Sequence, residues 1–316
     1  MSKAAAFRPS GNWIRSLRGP KNKVEAWRPS HFMREKEHSL NGRVEDVNVI
    51  FLSNQECPFS CLMCDLWKNT LDEAVPKGAI PAQIAYALDR LPPAPHLKLY
   101  NSSSFFDPGA IPEDDYAAIA ELVKGYESLI VENHPRFTDK RCLRFASMIE
   151  PSLELGMGLE CVHPDILPAL NKQLSLDSFQ KSVARLRQHG IRSRAYILLR
   201  PPFLSEKEGV EWACKSIDFA FACGVDTCSL IPTRAGNGAM DLLQQRGDFH
   251  PPALASLEAV LEYGIGLGKG TVFADTWDLE FIASCAHCFA ARRDRIEQIN
   301  LKQEILPEVR CCCNRT

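Results

Sequence analysis

The sequence has no run of about 18 apolar residues, the length a helix needs to cross a bilayer, which excludes a transmembrane helix. Its start, Met1-Ser2-Lys3-Ala4-Ala5-Ala6-Phe7-Arg8, has no apolar core of the kind a secretory signal carries, so a cytoplasmic location is expected, with no membrane partner. Neither sign of charge is in excess. The 37 Lys and Arg stand against 39 Asp and Glu for a net −2, which excludes a molecule that is polycationic throughout. Internal repeats and low-complexity tracts are also missing. Cysteine is not scarce. Thirteen of them, in a chain without an export signal, point to reduced thiols and metal binding instead of disulfides.

Three of these lie together. Cys57, Cys61 and Cys64 form a C-x3-C-x2-C loop directly after the apolar run Val47–Leu52. Structural zinc takes four ligands, and no His or fourth Cys lies in this loop. A [4Fe–4S] cubane held by three cysteines keeps one iron open. The amino and carboxylate groups of S-adenosylmethionine (SAM) can chelate that iron, and one electron then breaks a sulfonium C–S bond and releases a carbon radical. A zinc half-site or buried apolar cysteines are the plainer readings. Position weighs against them, because a loop that follows the first strand of a β/α barrel sits where such barrels place their chemistry.

The 316 residues divide by composition. Residues 1–45 are basic (Arg8, Arg15, Arg18, Lys21, Lys23, Arg28, Arg34, Lys36) with Trp13, Trp27 and Phe32 interleaved. Such an arm can touch phosphates and stack on bases, or wrap the barrel with its charges in water. Residues 46–275 alternate strand-like runs (Val47–Leu52, Leu97–Tyr100, Ser128–Val131, Leu153–Leu159, Ala195–Leu199, Thr227–Ile231) with helical patterns such as Asp114–Tyr126, Asp139–Ile149, Leu176–His189 and Ser205–Cys223. Ser205 and Glu208 form a capping box. The pattern predicts an α/β fold, a partial (β/α)6 barrel open on one side, with a further strand at Thr271–Ala274.

Five segments carry a family likeness: the cysteine loop with Asp65-Leu66-Trp67, Asn101–Asp107, Val131–Pro135, Gly158-Leu159-Glu160 and Leu198–Glu206. Together they resemble the radical SAM group that includes the catalytic subunit of Elongator. Within it they are similar to the archaeosine-synthase-type radical SAM family, which acts on a modified 7-deazaguanine in tRNA. The resemblance implies a [4Fe–4S] cluster, SAM, a reductant protein of flavodoxin or ferredoxin type, and a lysine-bearing deazaguanine nucleoside of tRNA that is cleaved to an amidine. It also implies that Asn101, Ser102, Ser103 and Ser104 hold the methionine end of SAM. Glu132 and Glu160 end strands and are expected in one mouth, where a carboxylate can bind ribose hydroxyls or a substrate ammonium. Arg200 is a candidate clamp for the SAM carboxylate or a phosphate, and Cys161 a possible hydrogen donor. Met63 can cover the adenine, Trp67 reads as loop packing, and His134 and His163 fall near the mouth. Arg200 stands where a Lys is usual, and Ile231-Pro232 where Asn-Pro is usual, both toward the substrate side. The alternatives are a small-molecule or peptide substrate, or a non-catalytic, metal-stabilised RNA-binding protein, against which the intact triad and mouth carboxylates weigh.

Residues 276–316 hold a second thiol group, Cys285 and Cys288 with Cys311, Cys312 and Cys313. Four ligands from it fit zinc or an auxiliary iron–sulfur cluster. Arg292, Arg293, Arg295, Lys302, Arg310 and Arg315 make the same tail a candidate RNA contact. Cys142, Cys214, Cys223 and Cys228 read as packing.

Overall fold

Short apolar runs become strands, and the amphipathic stretches between them become helices. The computed structural model describes residues 3–39, 41–311 and 313. Its strands are β1 (His31–His38), β2 (Val44–Leu52), β3 (His96–Asn101), β4 (Ser128–Glu132), β5 (Ser152–Glu160), β6 (Arg192–Leu199), β7 (Thr227–Pro232) and β8 (Thr271–Ala274). Its helices are α1 (Lys3–Ala6), α2 (Gly11–Ser16), α3 (Ala79–Leu88), α4 (Tyr116–Leu122), α5 (Lys140–Ala146) and α6 (Ile166–Ala169). They continue with α7 (Leu176–Gln188), α8 (Glu206–Cys223), α9 (Ala239–Gln245), α10 (Leu254–Gly266) and α11 (Ala286–Lys302). One sheet holds the strands in sequential order, β2 to β8 parallel and β1 antiparallel to β2. The six expected barrel strands and the further one at Thr271–Ala274 are all present. The expected capping box forms, with Ser205 and Glu208 bonded reciprocally at the start of α8. Among the described residues, no helix is long and apolar enough to cross a membrane.

Side chains alternate along the strands. In β6, Ala195, Ile197 and Leu199 pack outward under the helices, in one core with Ile50, Leu99, Val131, Leu155 and Leu230. The alternate residues Arg194 and Tyr196 face a cavity on the inner side of the sheet. That inner side explains β1, a strand that the polar sequence His31–His38 does not announce. Its Glu35 and Glu37 supply the counter-charges for Lys98 of β3 and Arg194 of β6. Glu154 completes the network with Arg194 at 2.6 Å and Arg192 at 2.8 Å. Three carboxylates thus balance three cations inside the barrel. Burial alone would raise the Glu37 carboxyl, but Arg194 and Lys98 hold it well below the usual carboxylate range. Its stabilising share is therefore present at neutral pH and lost on acidification. Glu37→Gln leaves Lys98 and Arg194 short of a counter-charge and is expected to cost about 3–5 kcal/mol in urea unfolding at neutral pH.

A second apolar cluster fixes the cysteine loop. Ala4 and Ile14 of α1 and α2 pack with Leu62, Leu170, Leu198 and Phe249. Arg15 donates to the Ser60 hydroxyl at 2.5 Å. Arg18 pairs with Glu56 at 2.5 Å and lies 4.8 Å over the Trp67 ring. Lys21 is bonded to Glu56 and Asp72, and Arg34 and Lys36 to Asp46. Several of the cations that mark the basic arm are thus spent on acidic partners.

Candidate active site

The loops after β2 to β5 converge on one cavity of about 210 Å³. Its walls carry Cys57, Cys61 and Cys64, the turn Ser102–Ser104, Glu132, His134, Glu160 and Lys172. Burial pushes the Cys61 thiol up to about 11 and raises Cys57 and Cys64 as well. Thiols so placed become thiolates only when a cationic centre offsets the burial, as an iron–sulfur cluster does.

Glu160 reaches the cavity by an irregular backbone. A bulge separates Gly158 from Glu160, whose φ is +66°. Its carboxylate, which is buried, meets the ammonium of the largely buried Lys172 at 2.6 Å. Gly158 makes this possible, because a Cβ there would lie 2.1 Å from the Glu160 Oε1 and 2.4 Å from the Lys172 Nζ. Burial would depress the lysine, but the Glu160 carboxylate raises it above its ordinary value.

Sequence reading missed Lys172. It sits in a turn between Asn171 (φ +51°) and Gln173 (φ +58°), and that turn is stapled to the cysteine loop. Asn171 donates to the Ser60 carbonyl at 2.8 Å, and Leu62 N–H donates to the Leu170 carbonyl at 2.9 Å. The only local signal is the Asn before the lysine, since Asn tolerates left-handed backbone. Among the described residues, Lys172 is the one lysine or arginine lining the cavity.

Glu132 borders this cavity and a larger chamber of about 540 Å³, lined by Lys98, Tyr100, Tyr196, Asp275 and Trp277 among others. Burial raises its carboxyl to about 7, against the Asn101 backbone N–H and the charges of Lys172 and Lys98. Neither polar atom of the buried Asn101 side chain has a partner among the described residues, and the Ser103 hydroxyl is likewise unmatched. Ser103 lines the cavity, where its hydroxyl fits a polar ligand, and Asn101 is buried two residues before it. His134 stacks on Phe59 with ring centroids 4.2 Å apart. Its Nε2 donates to the Lys172 carbonyl at 3.1 Å and its Nδ1 accepts from Arg136 N–H. Burial and Lys172 lower it to about 4, so the ring is neutral and anchors the turn.

Arg200, Cys161, His163 and Asn101 are not among the residues that line this cavity. Arg200 (φ +53°) turns back to Glu206 at 2.5 Å and the Pro251 carbonyl at 2.7 Å, at the start of α8. Cys161 is buried in the second apolar cluster, where its sulfur accepts from His163 N–H. His163 itself packs on Trp212. Met63 lines the cavity and an adjoining cleft of about 490 Å³ that also contains Leu198, Ile231 and Pro232. Trp67 is buried, as loop packing requires.

The second thiol group does assemble. The sulfurs of Cys285, Cys288, Cys311 and Cys313 all lie within 4.8 Å of one another, an arrangement that can hold a metal. Cys312 and Arg315 lie outside the described residues. Arg292 is bonded to Glu258, Arg295 to Glu262 and Arg293 to Glu297, so these basic residues face acids within the fold.

No family model matches the chain. It is 23% identical over 289 residues to an uncharacterised protein of Methanocaldococcus jannaschii, covering 84% of this chain and 79% of that one. It is 27% identical over 210 residues to archaeosine synthase subunit beta of Methanosarcina acetivorans, covering 64% of this chain and 60% of the relative. Among solved structures it is similar to methylornithine synthase, with a TM-score of 0.52 at 12% identity over 85% of this chain and 76% of that one. Elp3 of Methanocaldococcus infernus gives a TM-score of 0.51 at 13% identity, over 80% of this chain and 63% of that one.

Proposed function

We propose that this chain, whose fold is that of the radical SAM enzymes, holds a [4Fe–4S] cluster on Cys57, Cys61 and Cys64, binds SAM beside it, and acts on an organic substrate in the adjoining chamber. The observation that carries this reading is the single cavity where three thiols face Glu132, Ser102–Ser104 and the Glu160–Lys172 pair. A cluster held by Cys57, Cys61 and Cys64 would supply the electron for reductive cleavage of a sulfonium C–S bond and so the means to remove a hydrogen atom from substrate. Lys172 would offer its ammonium to the SAM carboxylate, and ionised Glu132 would accept a hydrogen bond from the SAM amino group. The Ser103 hydroxyl satisfies a remaining polar atom, Glu160 accepts from ribose hydroxyls, and Met63 and Leu198 offer an apolar wall to the adenine.

Glu132 makes the binding pH-dependent. Its raised value means the folded protein keeps a proton that the unfolded chain releases near 4.5, so empty-protein stability falls as pH rises from about 4.5 to about 7. Protonation turns one carboxyl oxygen into a donor, so Glu132 accepts from the amino group best in its ionised form. SAM affinity is expected to rise about tenfold between pH 6 and pH 8 and to be weak and flat in Glu132→Gln, read by equilibrium dialysis.

The substrate proposed is a deazaguanine nucleoside in tRNA. The name of the Methanosarcina relative supports it, although the chain spans only 60% of that protein. Reconstituted protein with SAM, dithionite and tRNA bearing the lysine-adducted deazaguanine should deplete that nucleoside in mass-spectrometric digests, and an unchanged digest overturns the assignment. A small-molecule substrate is the second reading. The ion pairing of Arg18, Lys21, Arg34 and Lys36 favours it, because it leaves these arm cations engaged within the fold.

A further inference from the structure

The two outer strands of the sheet, β1 and β8, do not pair with each other, and α11 packs against both. On the β8 side the junction is made by side-chain amides. Asn300 accepts from Ala274 N–H at 2.9 Å and donates to the Ala274 carbonyl at 2.8 Å. Gln303 repeats the exchange at Val272, at 2.9 and 3.0 Å. Two amides thus occupy the free edge where another strand would pair. On the other side, His38 Nδ1 lies 2.9 Å from the Leu301 carbonyl. So held, α11 walls the 540 Å³ chamber with Glu297, Asn300 and Leu301.

These contacts fix the C-terminal half of the helix. At its other end, Cys285 is the N-cap, Cys288 lies in the first turn, and Cys311 and Cys313 return to meet them. The returning segment is tied to the helix by Arg295, which donates to the Leu306 and Pro307 carbonyls. The spacing of the thiols is informative about what they bind. Four sulfurs about 2.3 Å from one tetrahedral ion lie about 3.8 Å from each other. Here Cys285 and Cys311 are 3.9 Å apart and Cys288 and Cys313 are 3.5 Å apart. A cubane places each thiolate on a different iron and needs them farther apart.

We infer that Cys285, Cys288, Cys311 and Cys313 bind a single zinc ion, and that this ion is a latch fixing α11 as the wall of the chamber, with no part in electron transfer. Calling the chamber the substrate's rests on the proposed function; the latch itself does not. The metal ties the start of α11 to the chain that returns from its end. It therefore couples the N-terminal turn of the helix to the amide junction on β8.

The test uses the full chain as purified, without iron reconstitution or SAM, so its result is independent of the radical reaction. Zinc and iron are counted by plasma mass spectrometry, and backbone amides by hydrogen exchange. One zinc per chain is expected, retained when Cys57, Cys61 and Cys64 are all replaced by alanine and lost in Cys285→Ser/Cys288→Ser. Zinc loss should speed exchange of the Val272 and Ala274 amides and of α11 at least about tenfold while β4 to β6 stay protected. Should the double variant fail to fold, chelation of the wild type and restoration with zinc give the same reading. Iron and sulfide retained in the Cys57/Cys61/Cys64 variant overturn the metal assignment. Zinc loss with unchanged exchange at β8 and α11, or with exchange rising equally everywhere, overturns the latch.

Discussion

Cys61→Ala should leave a folded protein that no longer retains iron at the barrel mouth and cleaves SAM only at background. Cys61 is buried between the two other thiols of the loop, and loss of one ligand from three leaves a cluster that already lacks a fourth protein ligand with too few bonds. A change one step removed from a metal ligand costs about 10- to 100-fold, so loss of the ligand itself is expected to exceed that range. Folding should survive, because the substitution removes only one buried sulfur and the loop backbone is held by the Leu62 N–H bond to Leu170 and by the side-chain amides of Asn171 and Asn237. The check is iron and sulfide content, absorbance near the thiolate-to-iron band, and the thermal transition of the same sample. Full iron retention in Cys61→Ala would remove that residue from the ligand set.

Lys172 should show two separable effects. Lys172→Met strands the Glu160 carboxylate inside the protein, at an expected cost of about 3–5 kcal/mol in urea unfolding. It also removes the cation offered to the SAM carboxylate, and loss of a charge-assisted hydrogen bond of about 1.5–3 kcal/mol weakens binding about 10- to 100-fold. Lys172→Met/Glu160→Gln distinguishes them. Neutralising both partners removes the stranded charge, so stability should return toward wild type while SAM affinity stays low. If both recover together, Lys172 is only the structural partner of Glu160. If neither changes in the single variant, the pair has no weight in fold or site.

Much of this was legible in the sequence because it is local. Strands β2 to β8 were announced by short apolar runs whose outward residues build the core, and the C-x3-C-x2-C loop needs only spacing. Strand β1 was not legible. Its alternating Glu and Lys residues read as a solvated arm, and only pairing across the barrel reveals that Glu35 and Glu37 face Lys98 and Arg194. Arg200 and Lys172 show the same limit at the site. Arg200 ends a strand, where a cation is expected to face the mouth, but its left-handed backbone turns the guanidinium to Glu206. Lys172 lies in an unremarkable turn and reaches the thiols only because Gly158 leaves room and Asn171 pins the loop. Strand position indicates which end of the barrel a residue occupies; the φ of that residue and the contacts of its neighbours determine where its side chain goes.

The most direct measurement is anaerobic reconstitution with iron and sulfide, reduction with dithionite, addition of SAM, and quantitation of 5′-deoxyadenosine by mass spectrometry, beside Cys61→Ala. 5′-Deoxyadenosine is expected from the wild type and none above background from the variant. A wild-type protein with a verified, reduced cluster that yields no 5′-deoxyadenosine would contradict the proposed SAM cleavage.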